Sequence, residues 1–408
     1  MSQSDRIHGF DTLRAMALLL GILLHAIMPY IQPSLDIWFV LDEDKQIGYT
    51  ILLVVIHAFR LQTFFLLAGF FSSLLIEKRG LKSFVINRVQ RVLVPLLLSV
   101  LIIVPLCQLL MVVGYSLRDG AGYVQIGEYV IDTRAYNSSV IDFFQSGLFV
   151  REIFLYHIWF LYYLVMIYAG YLLVRYLGVQ LGIANVCEAL TRWLLGSPWG
   201  IPILTMSSTL AMWPMRLWQV DTPYSIIPNG LILAYYFLFF GMGVALQTDA
   251  NLLEMLKRRS RVYLVVALLV LPVLLFGQVY GPNPFGRPVI WSYKPWALFA
   301  YNLFTWLVVL GLVGGFAQWF GKPSHTIRRV SETAYWQYLI HLPLLVAMQI
   351  GFASLPWPSY LEIMVQVLVA YLVLYWSYIG IVGRTMIGRL LNGRTIQEIN
   401  LGAEQLQN

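Results

Sequence analysis

Arg14 and His25 stand eleven residues apart in one apolar stretch. On a helix that spacing puts them within about 20° of the same face and about 16 Å apart along the axis. One stripe then carries an anion-binding guanidinium at one end and an imidazole, a base near neutral pH, deep in the apolar region. Asp11 lies one turn before Arg14 and can pair with it. Leu18 and Gly21 fall between the two charged residues, and Gly21 lets another group approach closely. His57, Arg60, His157 and His341 also sit inside apolar stretches, with Glu332 near an end. An ionisable group in such a place is costly and is a functional candidate by default, although each histidine alone could equally be a neutral ring bonded to a neighbouring helix. Arg60 is one turn from His57 on the same face and has no evident acidic partner in a neighbouring stretch, so a bound anion is one answer to its charge. Arg88 and Arg91, three residues apart, would point two forked guanidiniums to one side, which suits a phosphate or a carboxylate. Simple positive-inside charge accounts for that pair as well.

The elements that position these residues follow from composition. Of 408 residues, 59% are hydrophobic and 12% charged, against roughly 25% charged in soluble domains. The excess apolar surface must face lipid. Ten stretches are long enough for a bilayer of about 30 Å: 13–33, 49–75, 92–114, 152–176, 199–218, 229–248, 262–280, 295–320, 334–354 and 362–382. The fifth is interrupted by Pro202, Pro214 and Arg216, and the second is long enough to tilt or project beyond the lipid. The first, with Arg14 and His25 inside it, does not read as a cleavable signal peptide. The expected architecture is an all-α, polytopic transmembrane bundle of about ten helices, one domain over 1–408. Most of the 27 Lys and Arg fall in the loops on the N-terminal side of that arrangement, which predicts that both termini are cytoplasmic.

The net charge of +7 is scattered in short loops, so no nucleic-acid surface is indicated. Cys107 and Cys187 make no redox or metal spacing, and no metal site is expected. Segments 115–151, 213–224 and 281–296 on the outer side are rich in aromatic residues, including Trp213, Trp218, Trp291 and Tyr293. They fit an interfacial belt, or a platform for the apolar faces of sugar rings. Residues 177–198 suit an amphipathic helix along the inner surface.

Taken in order, these features resemble the acyltransferase 3 family of membrane proteins. The shared marks are the Arg14-to-His25 spacing, the pair Arg88-Val-Gln-Arg91 and the stretch FFLLAGFFS at 64–72. The stretches HAFRLQTFFLLAGFFS (57–72), HIWFLYYLV (157–165) and YLIHLPL (338–344) are similar to the periplasmic glucan succinyltransferase branch. Ala68 departs from the pattern, since many members carry Ser there.

The resemblance implies transfer of an acyl group, succinyl or acetyl, from cytoplasmic acyl-coenzyme A to a glycan hydroxyl on the outer face of a bacterial inner membrane. No permanently bound cofactor is implied. Arg14, Arg88 and Arg91 would hold the donor phosphates. An extended pantetheine arm of roughly 15–20 Å would then bring the thioester near His25, the expected general base. His57, Arg60, His157 and His341 are candidates to stabilise the oxyanion or to bind an acyl carboxylate. A secondary transporter or flippase, using the same buried groups as a substrate or proton pathway, is the competing expectation.

Overall fold

The computed structural model describes residues 7–32, 38–117, 123–126, 129–132, 145, 153–215, 217–281, 289–322 and 324–393. The chain is a helical bundle, and each of the ten expected spans has a helix. α1 runs His8–Ala26, α2 Ile47–Arg88 and α3 Val94–Ser116. A two-stranded antiparallel ribbon follows, Tyr123–Ile126 against Tyr129–Asp132, inside the segment read as loop. Then come α4 (Trp159–Gln180), α5 (Ala184–Gly196), α6 (Gly200–Met212), α7 (Gly230–Thr248) and α8 (Ala250–Val279). The last four helices are α9 (Lys294–Trp319), α10 (His325–Phe352), α11 (Ser359–Gly380) and α12 (Met386–Asn392).

Among the described residues, seven helical runs are long and apolar enough to cross a membrane, and one of them, Ile47–Ser116, contains both α2 and α3. Leucine and isoleucine side chains on α3 and α8, such as Leu101, Ile102, Leu268 and Leu269, point outward. In water such faces would be a liability, and in lipid they are at home. The chain is a multi-pass membrane protein.

Three expected boundaries move, each for a physical reason. The apolar run predicts a first span over 13–33, but α1 starts at His8 and ends at Ala26, with Met28–Tyr30 in a 3-10 turn. Pro29 has no N–H to continue the ladder. His25 therefore lies in the last turn of α1. The second span continues past residue 75 and breaks at Gly80, whose φ of +78° is a conformation glycine adopts without strain. The chain then passes through a π-helical turn, Val89–Leu93, into α3. The fifth span shrinks to the 13 residues of α6. That is a rise of about 20 Å, short of a full crossing.

α9 is the central post, with most of its residues buried between α2, α6, α8 and α1. Its Trp306 stacks on Phe239 of α7 at 4.0 Å between ring centres, and donates from Nε1 to Ser208 Oγ of α6 at 3.0 Å. α2 and α7 touch backbone to backbone. A Cβ on Gly69 would stand 2.0 Å from the Phe240 carbonyl oxygen, and one on Gly243 would stand 1.8 Å from that of Leu66. Small residues at the crossing are what allow helices to approach this closely. α1 packs on α10, which brings the apolar stretches bearing His25 and His341 together.

Candidate active site

At the end of the bundle where α1 begins, a cavity of about 540 Å³ opens between α1, α2, α4, α10 and the π-helical turn. Six cationic side chains line it: Arg14, Lys78, Arg79, Arg88, Arg91 and Arg328. Arg14 pairs with Asp11 at 3.4 Å, as the one-turn spacing predicts, and Arg328 pairs with Glu332 at 3.0 Å. The Arg88 guanidinium lies over the rings of Phe84 and Tyr168, at 5.2 and 5.0 Å. Nε of Arg88 and of Arg91 are buried without a hydrogen-bond partner among the described residues. Further in, the walls turn apolar and aromatic: Leu18, Phe64, Ala68, Phe160 and Tyr338. The arrangement is a cationic mouth leading to a greasy channel, fitted to an anion carrying a long uncharged arm. Ala68 presents a methyl group to this channel.

Tyr338 belongs both to the cavity wall and to the layer beyond it. Its hydroxyl donates to the His157 carbonyl at 2.7 Å, and its ring centre is 5.5 Å from that of His157. In that layer three imidazoles meet. Ring centres are 5.0 Å apart for His25–His341, 4.9 Å for His157–His341 and 6.5 Å for His25–His157. His25 Nδ1 is 3.0 Å from His341 Nε2. The indole of Trp38 lies nearly parallel to the His25 ring, at 6.1 Å and 14°. His157 and His341 are buried, whereas His25 keeps partial exposure.

Proline explains how these rings are seated. In a helix the N–H of residue i bonds the carbonyl of i−4, and proline has none to give. Pro343 thus leaves the Leu339 carbonyl unclaimed, and His157 Nε2 donates to it at 3.0 Å. Pro29 likewise releases the His25 carbonyl, which accepts from Gln349 Nε2 at 2.9 Å. Pro95 releases the Arg91 carbonyl, which accepts from the Tyr335 hydroxyl at 2.8 Å. Each freed carbonyl binds a side chain of another helix and ties that helix to the site.

Arg60 enters from α2 against Gly21, one turn before His25 on α1. A Cβ on Gly21 would lie 2.5 Å from Arg60 Nη1. The close approach expected at Gly21 is thus made by Arg60. Its charge acts on His25, His57, His157 and His341 alike. Arg60 Nε and His57 Nδ1 are buried without hydrogen-bond partners among the described residues. The nearby polar groups include the hydroxyls of Tyr236 and Tyr338, and no carboxylate among the described residues forms an ion pair with Arg60. The structure therefore gathers His25, His157 and His341 in one cluster with Arg60 beside it. His57 stays one turn from Arg60, outside the ring cluster. No group of three or more His, Cys, Asp or Glu side chains among the described residues is arranged to hold a metal ion.

Two of the aromatic segments converge at the opposite end. Lys294 Nζ lies 5.7 Å from the ring of Trp213 and 5.8 Å from that of Trp291, and Trp291 meets Trp218 edge-on at 6.4 Å. Trp291 is 62% exposed. Of the third segment, Tyr136, Phe143 and Phe144 lie outside the described residues.

Three lining residues and three prolines near the site carry a signal in the sequence beyond the candidates above. Lys78, Arg79 and Arg328 counted only as positive-inside charge. Pro29, Pro95 and Pro343 stand four residues after His25, Arg91 and Leu339, a spacing that marks the released carbonyls in advance.

Comparison with known proteins shows the family of the chain. The family model described as an acyltransferase domain matches residues 7–382. Glucans biosynthesis protein C of Escherichia coli K12 is 34% identical over 97 residues, which is 24% of this chain and 24% of that protein. The same protein of Escherichia coli O157:H7 matches to the same extent. The match spans about a quarter of the length of these curated relatives. No solved structure matches the chain.

Proposed function

This chain belongs to the acyltransferase 3 family, and from that premise we propose that it moves an acyl group from cytoplasmic acyl-coenzyme A to a hydroxyl of a glycan on the outer face of a bacterial inner membrane. The observation that carries the reading is the cavity: a mouth of six cations narrows to an apolar channel that ends at Tyr338, against the histidine cluster. Phosphates suit guanidinium forks, so Arg14, Arg88 and Arg91 are assigned to the donor's anionic end, with Lys78 and Arg79 beside them. The pantetheine arm suits the apolar walls. A glycan acceptor is supported by the name of the relatives and by the exposed aromatic cluster at the other end.

The chemistry follows from the atoms available. An alcohol is a weak nucleophile until its proton is taken. His25, partly exposed in the last turn of α1, accepts that proton. The oxygen then bonds to the thioester carbon and charge collects on the former carbonyl oxygen. Arg60, charged and lacking a carboxylate partner among the described residues, stabilises that oxyanion. The C–S bond breaks, the proton passes from His25 to the thiolate sulfur, and coenzyme A leaves as a thiol. A succinyl group would bring a second carboxylate, and Arg60 or His57 is placed to receive it. Asp11 is paired with Arg14 and lies far along α1 from His25, so no Ser–His–Asp type triad is invoked.

The test is turnover of succinyl- and acetyl-coenzyme A in liposomes containing wild-type protein or His25→Ala, with a glucan acceptor. Loss of transfer in a variant that inserts and binds donor normally is the expected result. Equal turnover by both proteins would remove His25 from the reaction. Absence of donor consumption by wild type would overturn the acyl-coenzyme A assignment.

A further inference from the structure

His341 is held at both ring nitrogens. Its Nδ1 lies 2.7 Å from the Tyr338 carbonyl oxygen and 3.1 Å from that of Gln337. Carbonyl oxygens only accept hydrogen bonds, so Nδ1 carries the hydrogen. A neutral imidazole has one N–H, which leaves Nε2 with a lone pair. That lone pair faces His25 Nδ1 at 3.0 Å. His25 Nδ1 must then be the donor, and its Nε2 is left bare.

We infer that His341 is a positioning residue that fixes His25 in its Nδ1–H form, so that Nε2 of His25 is the atom that takes the hydroxyl proton. The inference rests on the reading of His25 as the base and adds which atom acts and what orients it. A carboxylate does this work in serine hydrolases, by holding the tautomer and direction of an imidazole. Here a second imidazole does it, anchored in turn on two backbone carbonyls of its own helix.

The surroundings fix the pair further. Trp38 lies parallel to the His25 ring and donates from Nε1 to Gln349 Oε1 at 3.1 Å, and Gln349 holds the His25 carbonyl. His157 carries the opposite tautomer. It donates from Nε2 to the Leu339 carbonyl, which leaves its Nδ1 bare and without a partner among the described residues. His341, with both nitrogens engaged, has no hydrogen to offer an oxyanion. During transfer His25 Nδ1 keeps its hydrogen and donates it to the His341 Nε2 lone pair, the hydroxyl proton enters at His25 Nε2, and the same proton leaves to sulfur as the C–S bond breaks.

Two measurements on the full-length protein test this. In nitrogen-15 NMR of histidine-labelled wild type, His25 should appear as the Nδ1–H form, identified by the resonance that His25→Ala removes. An Nε2–H form would overturn the inference whatever the acyl donor proves to be. In kinetics, His341→Gln keeps an acceptor, Oε1, for the His25 N–H, and should hold kcat within about tenfold of wild type. His341→Leu offers none, and kcat should fall by about 100-fold with the donor KM unchanged. Equal loss in the two variants, or a loss confined to KM, would make His341 merely structural. If wild type consumes no acyl-coenzyme A, the proposed reaction fails, while the NMR result still decides the tautomer.

Discussion

Gly21 and Arg60 occupy adjoining space so closely that a Cβ on Gly21 would stand 2.5 Å from Arg60 Nη1. The obstructing atom is the end of a long side chain, so a methyl group there displaces the guanidinium and leaves α1 in place. Alanine also suits a helix better than glycine, by up to about 1 kcal/mol. Gly21→Ala should therefore insert and melt like wild type while losing catalysis. Removing one donor from an oxyanion typically costs about 100-fold or more in rate, and a displaced donor should cost at least about tenfold in kcat. An unchanged kcat, measured with saturating donor and acceptor, would take Arg60 out of the reacting centre.

The cationic mouth predicts a different phenotype. Arg91 faces the cavity from the π-helical turn, with Nε unpaired among the described residues. A hydrogen bond to a charged group contributes about 1.5–3 kcal/mol. Arg91→Gln should raise the donor KM by about tenfold or more and leave kcat nearly intact. The donor KM of wild type should rise with salt, and more steeply than that of the variant, because one of the attracting charges has been removed. A KM that ignores both salt and the substitution would assign the basic residues to membrane orientation alone.

Stability should be most sensitive where α2 crosses α7. A Cβ on Gly243 would stand 1.8 Å from the Leu66 carbonyl oxygen, and that atom is backbone in the middle of a helix. Neither helix can yield without repacking Phe65 and Tyr236, whose ring centres are 4.4 Å apart. Gly243→Val should lower stability by about 1–3 kcal/mol, read as a lower melting midpoint in detergent. Gly241 has open space at its Cβ position, and Gly241→Ala should melt like wild type. Equal midpoints for the two variants would mean that the crossing has room for a side chain.

The helices were legible in the sequence because lipid demands long apolar runs and their residues announce it. The Arg14-to-His25 stripe is legible too, since both residues fall within α1 and helical geometry fixes their relation from spacing alone. Which groups meet across helices was not. The 60s face of α2 could have turned Arg60 toward any of several neighbours, and only packing against Gly21 fixes its place. His57 and His157 read alike as isolated imidazoles, yet one joins the cluster and the other does not. The difference traces to Pro343, which supplies a carbonyl for His157. The apolar run overstates α1 by seven residues at its end because it continues through Ile27–Ile31, which is buried but not α-helical.

Pro343→Ala should separate stability from activity. Alanine restores the N–H that can bond the Leu339 carbonyl, so α10 gains a ladder bond and loses a helix breaker that costs about 3 kcal/mol in an exposed helix. His157 then loses the acceptor that seats its ring at 3.0 Å. The expected result is a melting midpoint equal to or above that of wild type, with kcat reduced by about tenfold or more. A stable variant with full activity would show that the seat of His157 does not matter to the reaction. A less stable variant would show that the kink itself is needed for packing.

The aromatic end supplies the acceptor test. Trp291 is exposed, lies edge-on to Trp218 and shares Lys294 with Trp213. An interfacial belt and a sugar platform both call for exposed aromatic rings, and they differ in what removal does. If the rings stack on sugar, Trp291→Ala should raise the glucan concentration needed for half-maximal transfer by about tenfold, the effect of losing roughly 1–1.5 kcal/mol of ring contact. The donor KM should not move, because the cationic mouth lies at the other end of the bundle. Trp296 is also exposed but makes none of these contacts, so Trp296→Ala serves as the belt control. Equal, small effects of the two substitutions on acceptor KM would return Trp291 to the membrane interface and place acceptor recognition elsewhere on that face.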